Sequence, residues 1–123
     1  MKLHLSAPGA LNAFTGYGAG YVSVNGKRFE RSLIVLPDRI VADWGAESFA
    51  ALAPAHFETF VALAPEIVLL GTGARLRFPH PELTRALVEA RIGLEVMDVQ
   101  AACRTYNILA AESRKVAAAV LLA

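Results

Sequence analysis

Ile67-Val68-Leu69-Leu70-Gly71-Thr72-Gly73 is the stretch that decides the fold. Four apolar residues follow one another without alternation, with Pro65 before them and Gly71 after. A short run that is apolar on both sides reads as a strand covered on both faces, as in the interior of a parallel or mixed sheet. Downstream, Pro79-His80-Pro81 opens a helix that carries Leu83, Ala86, Leu87 and Ala90 on one side, and Gly93 is placed to be its left-handed terminator. Leu94-Glu95-Val96-Met97 is the next strand, and Asp98 is a capping residue for the helix after it. On that helix Val99, Ala102, Cys103, Tyr106, Leu109 and Ala110 share an apolar face, with Gln100, Arg104, Asn107, Ala111 and Arg114 opposite. Residues 116–123 form a last buried strand, whose direction the sequence leaves open. Residues 65–123 are therefore a strand, glycine turn, helix, strand, helix, strand unit. Crossovers between its parallel strands are expected to be right-handed.

Upstream, Pro54 sits well as a first helical residue, because its missing N–H costs nothing there. Phe57, Phe60, Val61 and Ala64 then repeat at helical spacing, Pro65 ends the helix, and residues 46–52 offer a further helical turn. Tyr21-Val22-Ser23-Val24 is β-rich, and Asn25-Gly26 is a hairpin turn whose two positions tolerate positive φ. Residues 27–36 read as one returning strand, Pro37-Asp38 as a turn, and Arg39 to Trp44 as a third strand of an antiparallel meander. Residues 1–19 are poorly patterned apart from a short strand at Leu3 and Leu5. Gly16-Tyr17-Gly18-Ala19-Gly20 invites comparison with a phosphate loop, but such a loop follows a strand and opens a helix. Here a strand follows, so a flexible or bulged connection is expected. The expected fold class is α/β. It is a single three-layer domain over residues 1–123, with a mixed central sheet, a parallel strand–helix–strand C-terminal half and an N-terminal β-hairpin layer.

Bulk composition narrows the classes of function. The chain has 123 residues, is 55% hydrophobic and has a mean hydropathy of +0.44, which excludes a disordered chain. Twelve basic and eleven acidic residues leave a net charge of +1, with no basic stripe for nucleic acid. No segment approaches the ~18 apolar residues of a membrane span. The lone Cys103 makes no internal disulfide. A cytoplasmic, non-membrane-spanning protein is expected. The apolar share leaves a homo-oligomer open.

Chemistry in an open α/β sheet is sought outside the carboxyl ends of the strands. Those ends carry Gly71, Thr72 and Gly73, with Arg75 or Arg77 close behind, and Asp98; Arg104 stands exposed on the last helix. Gly71 and Gly73 would let backbone N–H groups approach an anion, with Thr72 adding a hydroxyl and an arginine a charge. The competing reading, given more weight, is that the glycines make a tight exit from a buried strand, and Asp98 nearby would repel a phosphate, which weighs further against an anion. Cys103 lies on the apolar helix face, and none of His4, His56 or His80 is tied to it, so it reads as an inert core thiol. Tyr106 belongs to the same face and needs a partner for its hydroxyl, and Trp44 is taken to cover a core edge. One cysteine and three separated histidines form no metal-ligand set. No catalytic residue and no cofactor is assigned.

Several segments together carry a resemblance. These are Ile67 to Gly73, Gly93-Leu94-Glu95-Val96-Met97-Asp98, Ala101-Ala102-Cys103-Arg104-Thr105-Tyr106-Asn107-Ile108-Leu109 and Glu112-Ser113-Arg114-Lys115-Val116-Ala117-Ala118. With the Asn25-Gly26 hairpin and the strand before Pro37, they resemble a small single-domain family of unknown function found in bacteria and archaea. Its eukaryotic relatives include a mitochondrial assembly factor for respiratory complex I, the NADH:ubiquinone oxidoreductase. The resemblance implies a compact three-layer α/β fold with a mixed sheet and supplies no catalytic residue or cofactor. It points to a non-enzymatic domain with an unknown protein partner. No Arg- and Ser-rich transit segment is visible, so the mitochondrial role is not carried over directly. The alternative is a small-molecule or anion-binding domain, with or without catalysis, using the crevice near Thr72 and Asp98.

Overall fold

The structure is a computed structural model, described here for residues 11–123. The strand expected at Leu3 and Leu5 lies outside the described residues, as does His4. The elements run β1 (Phe14–Gly18), β2 (Tyr21–Val24), β3 (Lys27–Phe29), β4 (Leu33–Leu36), β5 (Arg39–Val41), α1 (Pro54–Leu63), β6 (Ile67–Gly71), α2 (Arg85–Glu89), β7 (Gly93–Met97), α3 (Val99–Ala111) and β8 (Val116–Val120). Single 3-10 turns at Phe49–Ala51 and Pro81–Thr84 precede α1 and α2.

Five strands form the main sheet in the order β5-β4-β8-β6-β7, and β1-β2-β3 form a small antiparallel sheet. β8 is parallel to β6 and antiparallel to β4, which resolves its direction; β6 is also parallel to β7. Alternate residues of the central strands feed two separate cores. Leu33, Val35, Leu69, Val116, Ala118 and Val120 pack with α3 and with Phe14, Val22 and Val24 of the small sheet. Ile34, Leu36, Val68, Leu70, Ala117 and Ala119 pack with Phe57 and Phe60 of α1 and Leu87 of α2. The three layers are thus α3 with the small sheet, the five-stranded sheet, and α1 with α2. The run Leu33 to Leu36 and all of β8 are buried because each side of these strands is covered.

Four expectations are corrected. Residues 27–36 are not one strand: β3 belongs to the small sheet and β4 to the main one. Lys27 and Arg28 face solvent, whereas Leu33 to Leu36 are buried, so one straight strand cannot serve both surroundings and the chain turns at residues 30–32. The first half is consequently two antiparallel units rather than one meander. Residues 14–18, expected to lack pattern, form β1, with a bulge between Phe14 and Gly16. At Gly18 a Cβ would lie 2.4 Å from the Tyr21 ring, which crosses it and in turn carries the Arg28 guanidinium 3.8 Å from its centroid, so the ring would have to move aside for any larger residue. The strand from Arg39 stops at Val41, and Trp44 packs beyond it. Lastly, Gly93 opens β7 and does not terminate α2. The left-handed residue is Arg91 (φ 60°), which lets Ile92 N–H reach back to Leu87 O at 2.9 Å.

Candidate functional site

The carboxyl ends of β6 and β7 and the end of β8 are tied together by backbone bonds. Leu121 N–H donates to Gly71 O at 2.9 Å, Thr72 N–H to Met97 O at 2.9 Å and Val99 N–H to Gly73 O at 3.0 Å. Gly71 lies under α3: an added Cβ would stand 3.1 Å from Ala102 Cβ and 3.2 Å from Val99 Cα. Its missing side chain is what lets the helix approach the sheet. Thr72 is fully buried, and its hydroxyl donates to Arg75 O at 2.8 Å and accepts from Arg77 N–H at 3.0 Å. The hydroxyl thereby holds the loop after β6 in place and is committed to the protein itself. Gly73 follows at φ +95°, a conformation that strains any other residue.

Above these strand ends lies a cleft of about 710 Å³, between the β1–β2 turn on one side and the loop after β6 and the start of α3 on the other. Gly73, Arg75 and Asp98 line it, together with Arg77 and Tyr17. Gly71 and Thr72 lie behind it and do not line it. Arg104 stands next to it, donating from Nη1 to the Tyr17 hydroxyl at 3.3 Å. The six residues singled out by sequence therefore divide: three in the lining, two behind it and one beside it. Asp98 Oδ1 accepts from Ala101 N–H at 2.9 Å, which makes it the N-cap of α3 as expected. Arg77 lies with its guanidinium carbon 4.5 Å from the Phe49 ring centroid, and its Nε is buried without a hydrogen-bond partner among the described residues.

The hairpin wall of the cleft is held by a residue that the sequence reading put on the solvent face. Asn107 accepts from Phe14 N–H through Oδ1 at 2.9 Å and donates from Nδ2 to Phe14 O at 2.8 Å. Its carboxamide thus pairs with β1 as another strand would. A carboxamide one residue away from the buried Tyr106 was the available signal. Tyr106 finds the partner it needs in Asn12 O at 3.0 Å, and burial pushes its phenol pKa well up, helped by the charge of Asp38. The Cys103 thiol is buried and pushed up to about 12 by desolvation, against the smaller downward pull of Arg104. It is therefore protonated at neutral pH and is no nucleophile there. Trp44 is buried, with Nε1 donating to His56 O at 2.9 Å. His56 Nδ1 accepts from Ala53 N–H, and the exposed His80 accepts from Glu82 N–H, so both rings serve as helix-end caps. Among the described residues no group of three His, Cys, Asp or Glu is placed to hold a metal ion.

Residues 14–121 match a protein family of unknown function, DUF498/DUF598. The chain belongs to this family. A crystal structure of a Bordetella parapertussis protein superposes with a TM-score of 0.85 at 43% identity, covering 91% of this chain and 96% of that one. A Bordetella pertussis protein solved by NMR and described as a Mth938-like domain gives a TM-score of 0.81 at 36% identity, over 98% of this chain and 92% of the other. The bovine NADH dehydrogenase [ubiquinone] 1 alpha subcomplex assembly factor 3 is 36% identical over 104 residues, 83% of this chain. The chain spans about half the length of that relative, 55%. No helix among the described residues is long and apolar enough to cross a membrane.

Proposed function

We propose that this DUF498/DUF598 member is a non-enzymatic protein-binding domain that helps assemble a larger complex. The observation that carries the reading is the 36% identity, over 83% of the chain, to a protein named as an assembly factor. Surface chemistry supports it. The loop after β6 presents Leu76 at 49% and Phe78 at 71% exposure, next to the exposed Arg75. Large apolar side chains beside an arginine are typical of protein interfaces. We include in the proposal the one-domain organisation and cytoplasmic location expected from the sequence. The test is affinity capture from native cells, comparing the wild-type chain with Phe78→Glu. A defined partner recovered with wild type and lost with the variant supports the reading. Repeated recovery of nothing, or of the same proteins by both, removes it.

A further inference from the structure

The cleft at the strand ends is more cationic than the protein itself requires. Among the described residues Arg75, Arg77 and Arg104 form no ion pair and Asp98 is the one acidic side chain in the lining, which also includes Ala123. The Asp98 carboxylate is already engaged by the helix N-terminus it caps. Arg75 is exposed at the rim, and the buried Arg77 Nε is a donor with no partner among the described residues. That Nε has no accessible surface, so what Arg77 brings to the cleft is its charge, as one of the lining residues. The cleft also has an apolar part, from the Tyr17 ring, Val99 and Leu122, and glycines at positions 18, 20 and 73 keep its rim low. Arg104 Nη1 donates to the Tyr17 hydroxyl at the edge of the cleft. A volume of about 710 Å³ is the size of a small-molecule site, and more than an inorganic anion needs.

We propose that this cleft binds a small organic anion, with its carboxylate or phosphate paired with Arg75 and Arg77 and its apolar body against Tyr17 and Leu122. Guanidinium groups match both headgroups through paired N–H donors, so the shared chemistry is an oxyanion on a planar or apolar body. The site shares Arg75 with the protein-binding surface proposed above but does not rest on that reading, since Leu76 and Phe78 do not line the cleft.

The test is an NMR titration of the isolated purified chain with benzoate, with phenyl phosphate and with the neutral benzyl alcohol. The proposal expects saturable shifts concentrated at the amides of Gly18, Gly20, Gly73 and Gln100 with at least one of the two anions. Which anion binds more tightly identifies the headgroup. Benzyl alcohol should bind at least about tenfold more weakly, the least that a lost charge-assisted hydrogen bond amounts to. Arg75→Gln should weaken the anion by a similar factor while leaving the remaining spectrum native, since Arg75 is exposed, and Arg75→Lys should recover part of the loss. Shifts that do not saturate, that fall elsewhere, that benzyl alcohol reproduces at equal strength, or that survive Arg75→Gln unchanged would each overturn the proposal. Because no partner is present in the sample, these outcomes are separate from those of the capture experiment.

Discussion

Replacing Thr72 with valine tests whether this residue belongs to a ligand site or to the scaffold. Valine keeps the shape of the side chain and removes its hydroxyl. The hydroxyl donates to Arg75 O at 2.8 Å and accepts from Arg77 N–H at 3.0 Å, in a residue with no exposed surface. Each lost bond leaves a backbone group without its partner, at about 1–3 kcal/mol when the group is buried. Burying a methyl in place of a hydroxyl returns about 1 kcal/mol. Arg75 is exposed and Arg77 half-buried, so water reaches part of the loop and the lower part of the range applies. The expected loss is about 2 kcal/mol, a fall in Tm of roughly 6–10 °C for a chain of this length. Urea unfolding should show a lower midpoint with an unchanged m-value, the mark of a change in stability alone. Thr72→Ser keeps the hydroxyl and loses one buried methyl, so it should cost only about 1 kcal/mol. If the valine variant stays within about 0.5 kcal/mol of wild type, or serine proves worse than valine, the scaffold role is refuted.

Four further outcomes follow from the same packing. Gly71→Ala should destabilise the chain by about 1–3 kcal/mol by thermal unfolding, because its Cβ would stand 3.1 Å from Ala102 Cβ and 3.2 Å from Val99 Cα, so that α3 would have to shift off the sheet; an unchanged Tm would mean that α3 gives way freely. Asn107→Ala should cost about 2 kcal/mol, and hydrogen exchange should show the Phe14 amide opening early while β6 and β8 amides keep their protection. Cys103 should resist thiol reagents in the native state, and rapid stoichiometric modification without unfolding would contradict its burial. Its thiol is raised from 9.0 to about 12 in the fold, so above pH 9 the unfolded chain loses a proton that the native chain keeps. The resulting stability is fully present below pH 9 and is lost as pH rises towards 12. Calorimetry should therefore show Tm falling across that window, with a shallower slope for Cys103→Ala, while Tyr106, also raised, adds to the fall at higher pH.

Much of the candidate site was legible because its residues follow strands that announce themselves. Gly73, Arg75 and Asp98 line the cleft, as expected of residues just past the carboxyl ends of β6 and β7. The opposite wall was not legible. Tyr17 and Gly18 come from a segment without visible pattern, since the glycines of β1 carry no side chain to show alternation. Asn107 was misplaced because helical periodicity reports which side of a helix is apolar, and a carboxamide satisfied by strand backbone looks like one satisfied by water. Arg77 was noticed only as an alternative to Arg75. The difference between them lies in Phe49, 28 positions earlier in the chain, whose ring carries the Arg77 guanidinium.

The sequence by itself determined the local elements. An apolar run covered on both faces, helical spacing after Pro54 and Asp98, and the Asn25-Gly26 turn, with φ of 55° and 84°, all depend on residues within a few positions of one another. Only the tertiary structure decided that residues 27–36 split between two sheets. It alone placed β8 between β4 and β6, and turned Gly71 and Thr72 from ligand candidates into parts of the scaffold. Those outcomes rest on contacts between distant residues, such as Gly71 with Val99 and Leu33 with Val120. Short-range periodicity fixes which face of an element is apolar. The surface that covers that face is set by which strands and helices can pack together at the closest approach their side chains allow.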